Sequence, residues 1–279
     1  MELFNKTSFK ISQIVTKTYS TSFSLGILTF DKKYRDAIYS IYGFVRLADE
    51  IVDTFFGYDQ REMIREFRKD TEDALKNGIS TNPILHSFAL TVRKYKIDYH
   101  YIDSFLKSME MDLDNSYYNK VEYNNYIYGS AEVVGLMCLK VFCHENEELF
   151  QKLINPARAL GSAFQKVNFL RDIKSDLIER ERIYLPGISL ANKIDDESKK
   201  SLEQDVEIEF AQALEGIKQL PDGVKLGVYS AYLYYLSLFK KIKRKKVKDL
   251  MSERVRVPNS KKLALLLRGV VELKVVQKF

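Results

Sequence analysis

The sequence has no tryptophan and only two cysteines, three histidines and five prolines in 279 residues, and each shortage removes a class of protein. Two cysteines cannot staple a small secreted scaffold. Cys138, Cys143 and His144 also lack zinc-ligand spacing, so both thiols read as reduced core residues. No apolar run approaches the ~20 residues that span a bilayer, and Lys6, Lys10 and Lys17 interrupt the stretch where a signal-peptide core would lie. A cytoplasmic protein is expected. His86 and His100 bring no triad partner that spacing can identify, and no G-x-G-x-x-G dinucleotide fingerprint occurs. Alternating strand patterns are missing, and Asn77-Gly78 is better read as a helix end than as a hairpin turn.

What is present is helix, basic charge and aromatic rings. Apolar residues recur with a 3.6-residue period between Pro83, Pro156, Pro186, Pro221 and Pro258, which are expected at helix starts or in loops. With no linker, repeat or low-complexity stretch, residues 1–279 read as one all-α domain. The formal charge is +6, and seven of the nine residues from Lys240 to Lys248 are basic. Such a run is a solvated helix end or a patch for anionic lipid, where each Lys or Arg adds about 1 kcal/mol. No nucleic-acid motif accompanies it. The 18 tyrosines and 17 phenylalanines are mostly core, but rings that line a dry cavity also stabilise carbocations.

Two aspartate pairs, Asp49 with Asp53 and Asp172 with Asp176, stand out. The i,i+4 spacing stacks each pair on one helix face. Tyr42, Arg46, Asp49 and Asp53 fall within a sector of roughly 60°, and Gln165, Asn168, Asp172 and Asp176 within about 80°. A single such pair is equally half of a surface salt-bridge ladder. Two pairs, each set among apolar residues with further polar groups in phase, suit a cage of hard oxygen donors for Mg²⁺ and a phosphorylated substrate, provided the two helices face each other.

The blocks around these pairs resemble a known family. Tyr42-x-x-x-Arg46-x-x-Asp49-Glu50-x-x-Asp53 is similar to the first aspartate motif of squalene/phytoene synthases. Asn168-x-x-Arg171-Asp172-x-x-x-Asp176, followed by Arg182-Ile-Tyr184-Leu-Pro186, is similar to the second. Ser20-Thr-Ser22-Phe23, Tyr126-Ile-Tyr128-Gly-Ser-Ala131, Tyr235 and Arg254-Val-Arg256-Val resemble the family's remaining elements, in the family's order. Ser130, Glu132, Ser175 and the run Glu179-Arg180-Glu181-Arg182 depart from its usual residues.

The resemblance implies an isoprenoid-synthase helical bundle around a central apolar cavity. It implies Mg²⁺, with Mn²⁺ as a substitute, held by Asp49, Asp53, Asn168, Asp172 and Asp176, the four aspartates being the catalytic set. Arg46, Arg171, Arg254 and Tyr235 would complete a diphosphate shell. Ser20, Phe23, Tyr42, Tyr126, Ala131, Val134, Gly161 and Gln165 would bind the substrate, with Phe23 as a cavity wall. The implied reaction is head-to-head condensation of two allylic diphosphates through a cyclopropylcarbinyl diphosphate. Two geranylgeranyl diphosphates would give phytoene for carotenoid synthesis, without NADPH. Squalene or dehydrosqualene from two farnesyl diphosphates is the alternative, and a non-catalytic binding or assembly protein on the same fold is an alternative of another class. The short chain without a C-terminal anchor resembles the bacterial carotenoid enzymes, working in the cytoplasm or against the inner face of the membrane.

Overall fold

The computed structural model describes residues 1–114, 118–180, 182–184 and 195–276, and among them it contains helices and no β-strand. The all-α expectation holds. The first helices are α1 (Glu2–Tyr19), α2 (Thr21–Leu28), α3 (Lys32–Thr54), α4 (Gln60–Asn77), α5 (Pro83–Tyr95) and α6 (Tyr99–Asp114). Next come α7 (Lys120–Ile127), a π-helical turn (Tyr128–Glu132) and α8 (Val133–Phe142). The chain continues with α9 (Glu147–Ile178), α10 (Asp196–Ile217), α11 (Asp222–Lys243), α12 (Val247–Ser252) and α13 (Asn259–Val276).

Local sequence sets most boundaries. Gly78 ends α4 in the left-handed conformation at φ 70°, which an L side chain rarely adopts. Asn82 caps α5 ahead of Pro83, whose missing N–H costs nothing in the first turn. Asn119 and Glu122 form a reciprocal capping box on α7. Pro221 caps α11 and Pro258 immediately precedes α13, as expected, while Pro186 lies outside the described residues. Pro156 corrects the expectation that prolines mark starts and loops, because it lies inside the 32-residue α9. Its ring occupies the space where a Cβ on Gly216 of α10 would sit. Packing between these two helices, and against the cavity described below, offsets a helix-interior proline that costs ~3 kcal/mol in isolation.

The core runs continuously beneath α3. Phe44 stacks on Phe88 at 4.0 Å and also touches Phe67 and Phe105, tying α3 to α4, α5 and α6. Where α1 and α3 meet α5, paired hydroxyls replace bulky side chains: Ser12 with Ser87 at 2.8 Å and Ser40 with Thr91 at 2.6 Å. On the other side of α3, helices α2, α8, α9, α10 and α11 enclose a cavity of about 430 Å³. Glycines keep its walls thin. A Cβ on Gly161 would lie 2.6 Å from the Ala131 carbonyl oxygen, and one on Gly135 would lie 3.0 Å from that of Ala157. Backbone therefore meets backbone where α9 crosses α8 and the π turn.

Gly161→Ala should force α9 away from the π turn and lower stability by about 1–3 kcal/mol, the usual cost of overpacking. Urea denaturation measures this, and a midpoint equal to wild type would refute the backbone contact.

Candidate active site

The cavity is apolar along its length and polar at one end. On α3 its lining runs from Ile38 through Ile41 and Val45 to Arg46 and Asp49. On α9 it runs from Leu153 through Leu160 and Phe164 to Gln165 and Asn168. The steps of three and four are those of one face of a helix. Both helices carry their polar residues in their C-terminal halves, and these ends meet. Arg180, just past α9, reaches Asp176 of α9 with Nη1 at 2.8 Å and Asp53 of α3 with Nε at 3.6 Å. The two aspartate pairs thus share one mouth.

Carboxylates are poorly placed at the C-terminal ends of helices, where the backbone dipole is already negative. Asp53 is one residue from the end of α3 and Asp176 two from the end of α9, with no basic residue in either last turn. Burial, reinforced by Asp53, pushes the Asp49 carboxyl up to about 8. Burial and then Asp172 push Asp176 up to about 7. Asp172 behaves oppositely: burial would raise it, but Arg171 and Arg254 outweigh that and hold it below the ordinary carboxylate range. Arg254 donates from Nε at 2.7 Å and Arg171 from Nε at 2.9 Å, both to Asp172 Oδ1.

Among the described residues, no three Asp, Glu, His or Cys side chains converge as a finished metal cage. Arginines pair with Asp53, Asp172 and Asp176 instead. The donor set still fits a hard dication in its chemistry, since it is all oxygen and crowded with like charge, and neither helix carries a basic residue in its own last turn. Asp49 has no hydrogen-bond or ion-pair partner among the described residues. Nε of Arg46 and Nε of Arg180 are buried without an acceptor there. Among the described residues the mouth therefore lacks a cation for Asp49 and an acceptor for one N–H on each of two guanidinium groups already paired through their other nitrogens.

The structure distributes the other sequence-predicted residues unevenly. Phe23, Tyr42, Ala131, Val134, Gly161, Gln165, Asn168 and Tyr235 line the cavity. Tyr235 stacks on Phe164 at 3.9 Å and donates its hydroxyl to Asn168 Oδ1 at 3.3 Å. Phe23 faces Tyr42 at 5.9 Å and Tyr235 at 6.3 Å, so three rings surround the space next to the polar mouth. Arg46 also lines the mouth, ion-paired to Glu50 and lying 4.4 Å over the Tyr19 ring. Ser20 caps α2 by accepting from the Phe23 amide and does not line the cavity. Tyr126 lies in a separate aromatic cluster with Tyr118, Phe169 and Tyr184. Glu132 pairs with Arg158 and does not line the cavity, whereas Ser130 does, with its buried hydroxyl unpartnered among the described residues.

Sequence reasoning missed a buried network behind the aspartates. Arg182 donates to Asp53 Oδ1 at 2.7 Å and to the Val52 carbonyl at 2.8 Å. It lies 3.8 Å from Asp112, which accepts from the hydroxyls of Tyr126 and Tyr184, both at 2.9 Å, and of Tyr118 at 3.3 Å. Arg180 could have been found from its i,i+4 spacing to Asp176. Asp112, one of several acids in α6 beside Glu110 and Asp114, gave no sequence signal that set it apart.

A family profile described as squalene/phytoene synthase matches residues 16–261. The chain belongs to the squalene/phytoene synthase family. This is a family of prenyltransferases. The chain is 27% identical to a phytoene synthase from Arthrospira platensis over 93% of its own length and 91% of that protein. It is 29% identical to a chloroplastic phytoene synthase from Narcissus pseudonarcissus, covering 90% of itself and 63% of that longer protein. In fold it superposes on a crystal structure of a dehydrosqualene synthase with a TM-score of 0.81 at 21% identity, covering 97% of this chain and 98% of the other. A squalene synthase from Alicyclobacillus acidocaldarius gives a TM-score of 0.74 at 20% identity, covering 86% and 94%.

The raised carboxyls link stability to pH. Asp49 and Asp176 hold protons in the folded protein that the unfolded chain releases near pH 4. Their contribution is complete below that value and is lost as pH rises through about 7 to 8. Asp172 has the opposite sign, but its effect is confined to acid below the window. The melting temperature of metal-free protein should therefore fall between pH 5 and pH 8, and Asp49→Asn should flatten the slope. A wild-type melting temperature that rises over this interval would contradict the assignment.

Proposed function

We propose that this protein condenses two geranylgeranyl diphosphates head to head to phytoene, with Mg²⁺ held by Asp49, Asp53, Asn168, Asp172 and Asp176. The observation that carries the reading is the pairing of unmet demands at the mouth of an apolar cavity. Asp49, which lines the cavity, has no cationic partner among the described residues, and the Nε–H groups of Arg46 and Arg180 each lack a hydrogen-bond acceptor there. A metal-bound diphosphate with a hydrocarbon tail supplies all three.

The protein's own groups have distinct tasks. Arg46, Arg171, Arg180 and Arg254 offer donors for phosphate oxygens, and arginine suits that recognition because its planar fork binds two oxygens at once. Bound Mg²⁺ supplies Lewis acidity that stabilises the departing diphosphate. Departure of the first diphosphate leaves an allylic cation. The 2,3 double bond of the second substrate captures it and loses a proton, giving the cyclopropylcarbinyl diphosphate. Loss of the second diphosphate, rearrangement and loss of another proton join the two C1 carbons. Phe23, Tyr42 and Tyr235 present π faces next to the mouth, which stabilise a cation without forming a bond to it. The apolar walls exclude water that would otherwise capture it.

No helix among the described residues is long and apolar enough to cross a membrane. Peripheral contact fits the surface better: Leu263, Leu267 and Val271 form an exposed stripe on α13, and Lys241, in the basic run, donates to the Arg256 carbonyl at 2.9 Å, just before α13 begins. Binding to anionic vesicles but not neutral ones in a sedimentation assay would support this, and equal binding to both would remove the electrostatic part.

The deciding experiment incubates purified protein with geranylgeranyl diphosphate and Mg²⁺, with and without NADPH, and identifies the hydrocarbon by mass spectrometry. Phytoene formed without NADPH supports the proposal. A C30 hydrocarbon from farnesyl diphosphate alone would transfer it to the squalene or dehydrosqualene reaction, and silence with both would favour a binding role. Asp49→Asn and Asp172→Asn should each lower turnover by at least about 10²-fold, as expected for lost charge stabilisation, while circular dichroism remains that of wild type.

A further inference from the structure

The cavity has a floor, and its position can be read from the helices that line it. The mouth-most and deepest lining residues are Asp49 and Ile38 on α3, and Asn168 and Leu153 on α9. Phe23 of α2 lies toward the mouth, and Phe30, two residues past the end of that helix, lies at the deep end. At 1.5 Å per residue the cavity descends about 16 Å along α3 and about 22 Å along α9. Phe30 and Phe142 close the deep end. Their rings meet edge to face at 5.4 Å and 74°.

Both rings are braced. The Phe30 ring fills the place of the missing Cβ of Gly227. Phe142 is backed edge-on by Tyr34 at 6.1 Å, and Tyr34 in turn lies under the Lys33 ammonium at 4.9 Å. Tyr34 is only half-buried, so the region behind Phe142 leads toward the surface and is not sealed by further core.

Helix α8 carries a scale down the wall. Val134, Cys138 and Phe142 line the cavity at i, i+4 and i+8, about 6 Å apart along the axis. A fully extended carbon chain advances about 1.2 Å per bond, as three bonds per 3.3–3.6 Å in an extended backbone imply. A four-bond isoprenoid unit therefore occupies about 5 Å, close to one step on α8. The 16–22 Å depth corresponds to three to four units.

We propose that the Phe30–Phe142 pair sets the longest prenyl chain the site accepts, at four isoprenoid units, and that each step along α8 changes the limit by one unit. This rests on the prenyl diphosphate reading of the mouth. Cys138 is the position where a larger side chain raises the floor by one step, because its side chain faces the cavity and has no hydrogen-bond partner among the described residues.

The test measures binding of non-hydrolysable C10, C15, C20 and C25 prenyl thiodiphosphates to the full chain with Mg²⁺ by calorimetry, alongside product length from the natural diphosphates. Wild type should gain affinity with each unit up to C20 and lose it at C25. Cys138→Phe should weaken C20 binding by about tenfold or more, because several buried methylenes lose their place, while C15 binding stays near wild type. Phe142→Ala should admit C25. Phe142→Leu, a smaller change, should relax the limit in the same direction if the alanine variant fails to fold. An identical cutoff in wild type and the Cys138 variant would overturn the floor and leave the condensation reading intact. A cutoff that shifts as expected without turnover would leave the floor and remove the condensation. Absence of binding at every length would overturn both.

Discussion

Negative charge gathered at the C-terminal ends of two buried helices is the constraint around which the rest of this molecule is organised. Helix dipoles, low dielectric and mutual repulsion all act against Asp49, Asp53, Asp172 and Asp176 at that place. Arg171, Arg180, Arg182 and Arg254 answer part of the demand, and each sits where one guanidinium can reach an aspartate. The compensation is incomplete by design of the geometry, since Asp49 and two guanidinium N–H groups remain unmatched. Groups that satisfied one another fully would have little to offer a ligand.

The second organising fact is how the cavity stays open without weakening the bundle. A space of about 430 Å³ inside the helical bundle deprives its walls of dispersion contacts. Here the loss is offset next to the cavity, where Gly26, Gly135, Gly161, Gly216 and Gly227 let neighbouring helices touch at backbone or ring distance. Close packing between the walls compensates for the lack of packing across them. The stacked Phe44 and Phe88 rings and the buried hydroxyl pairs make the far side of α3 dense, so this helix is held from behind while it faces an open space.

Local periodicity made some of this legible in the sequence. The aspartate stripes, the all-α architecture and the helix end at Gly78 each depend on residues within one or two turns of each other. Arg182 does not, because its meaning comes from Asp53, 129 residues earlier. Asp112 reads as one more surface acid between Glu110 and Asp114, until the hydroxyls of Tyr118, Tyr126 and Tyr184 converge on it in the structure. Pro156 reads as a break because propensity is local, whereas the Gly216 surface that accommodates it is not. Tyr126 lies in the same short block as Ala131, yet the structure separates the two: Ala131 lines the cavity and Tyr126 turns to the Asp112 cluster.

That last separation comes from the π-helical turn at Tyr128–Glu132. A π turn accommodates one residue more than an α turn, so it shifts the phase of everything after it by about 100°. Helix α7 can then present Tyr126 to the Asp112 hub while α8 presents Val134, Cys138 and Phe142 to the hydrocarbon space. The turn acts as a coupling with a fixed angular offset between two faces that have different chemistry. Removing one residue there would restore an unbroken α-helix and rotate the whole wall out of alignment, even though no lining side chain had changed. The length of this five-residue segment is thus as much a specification of the cavity as the identity of any residue that lines it.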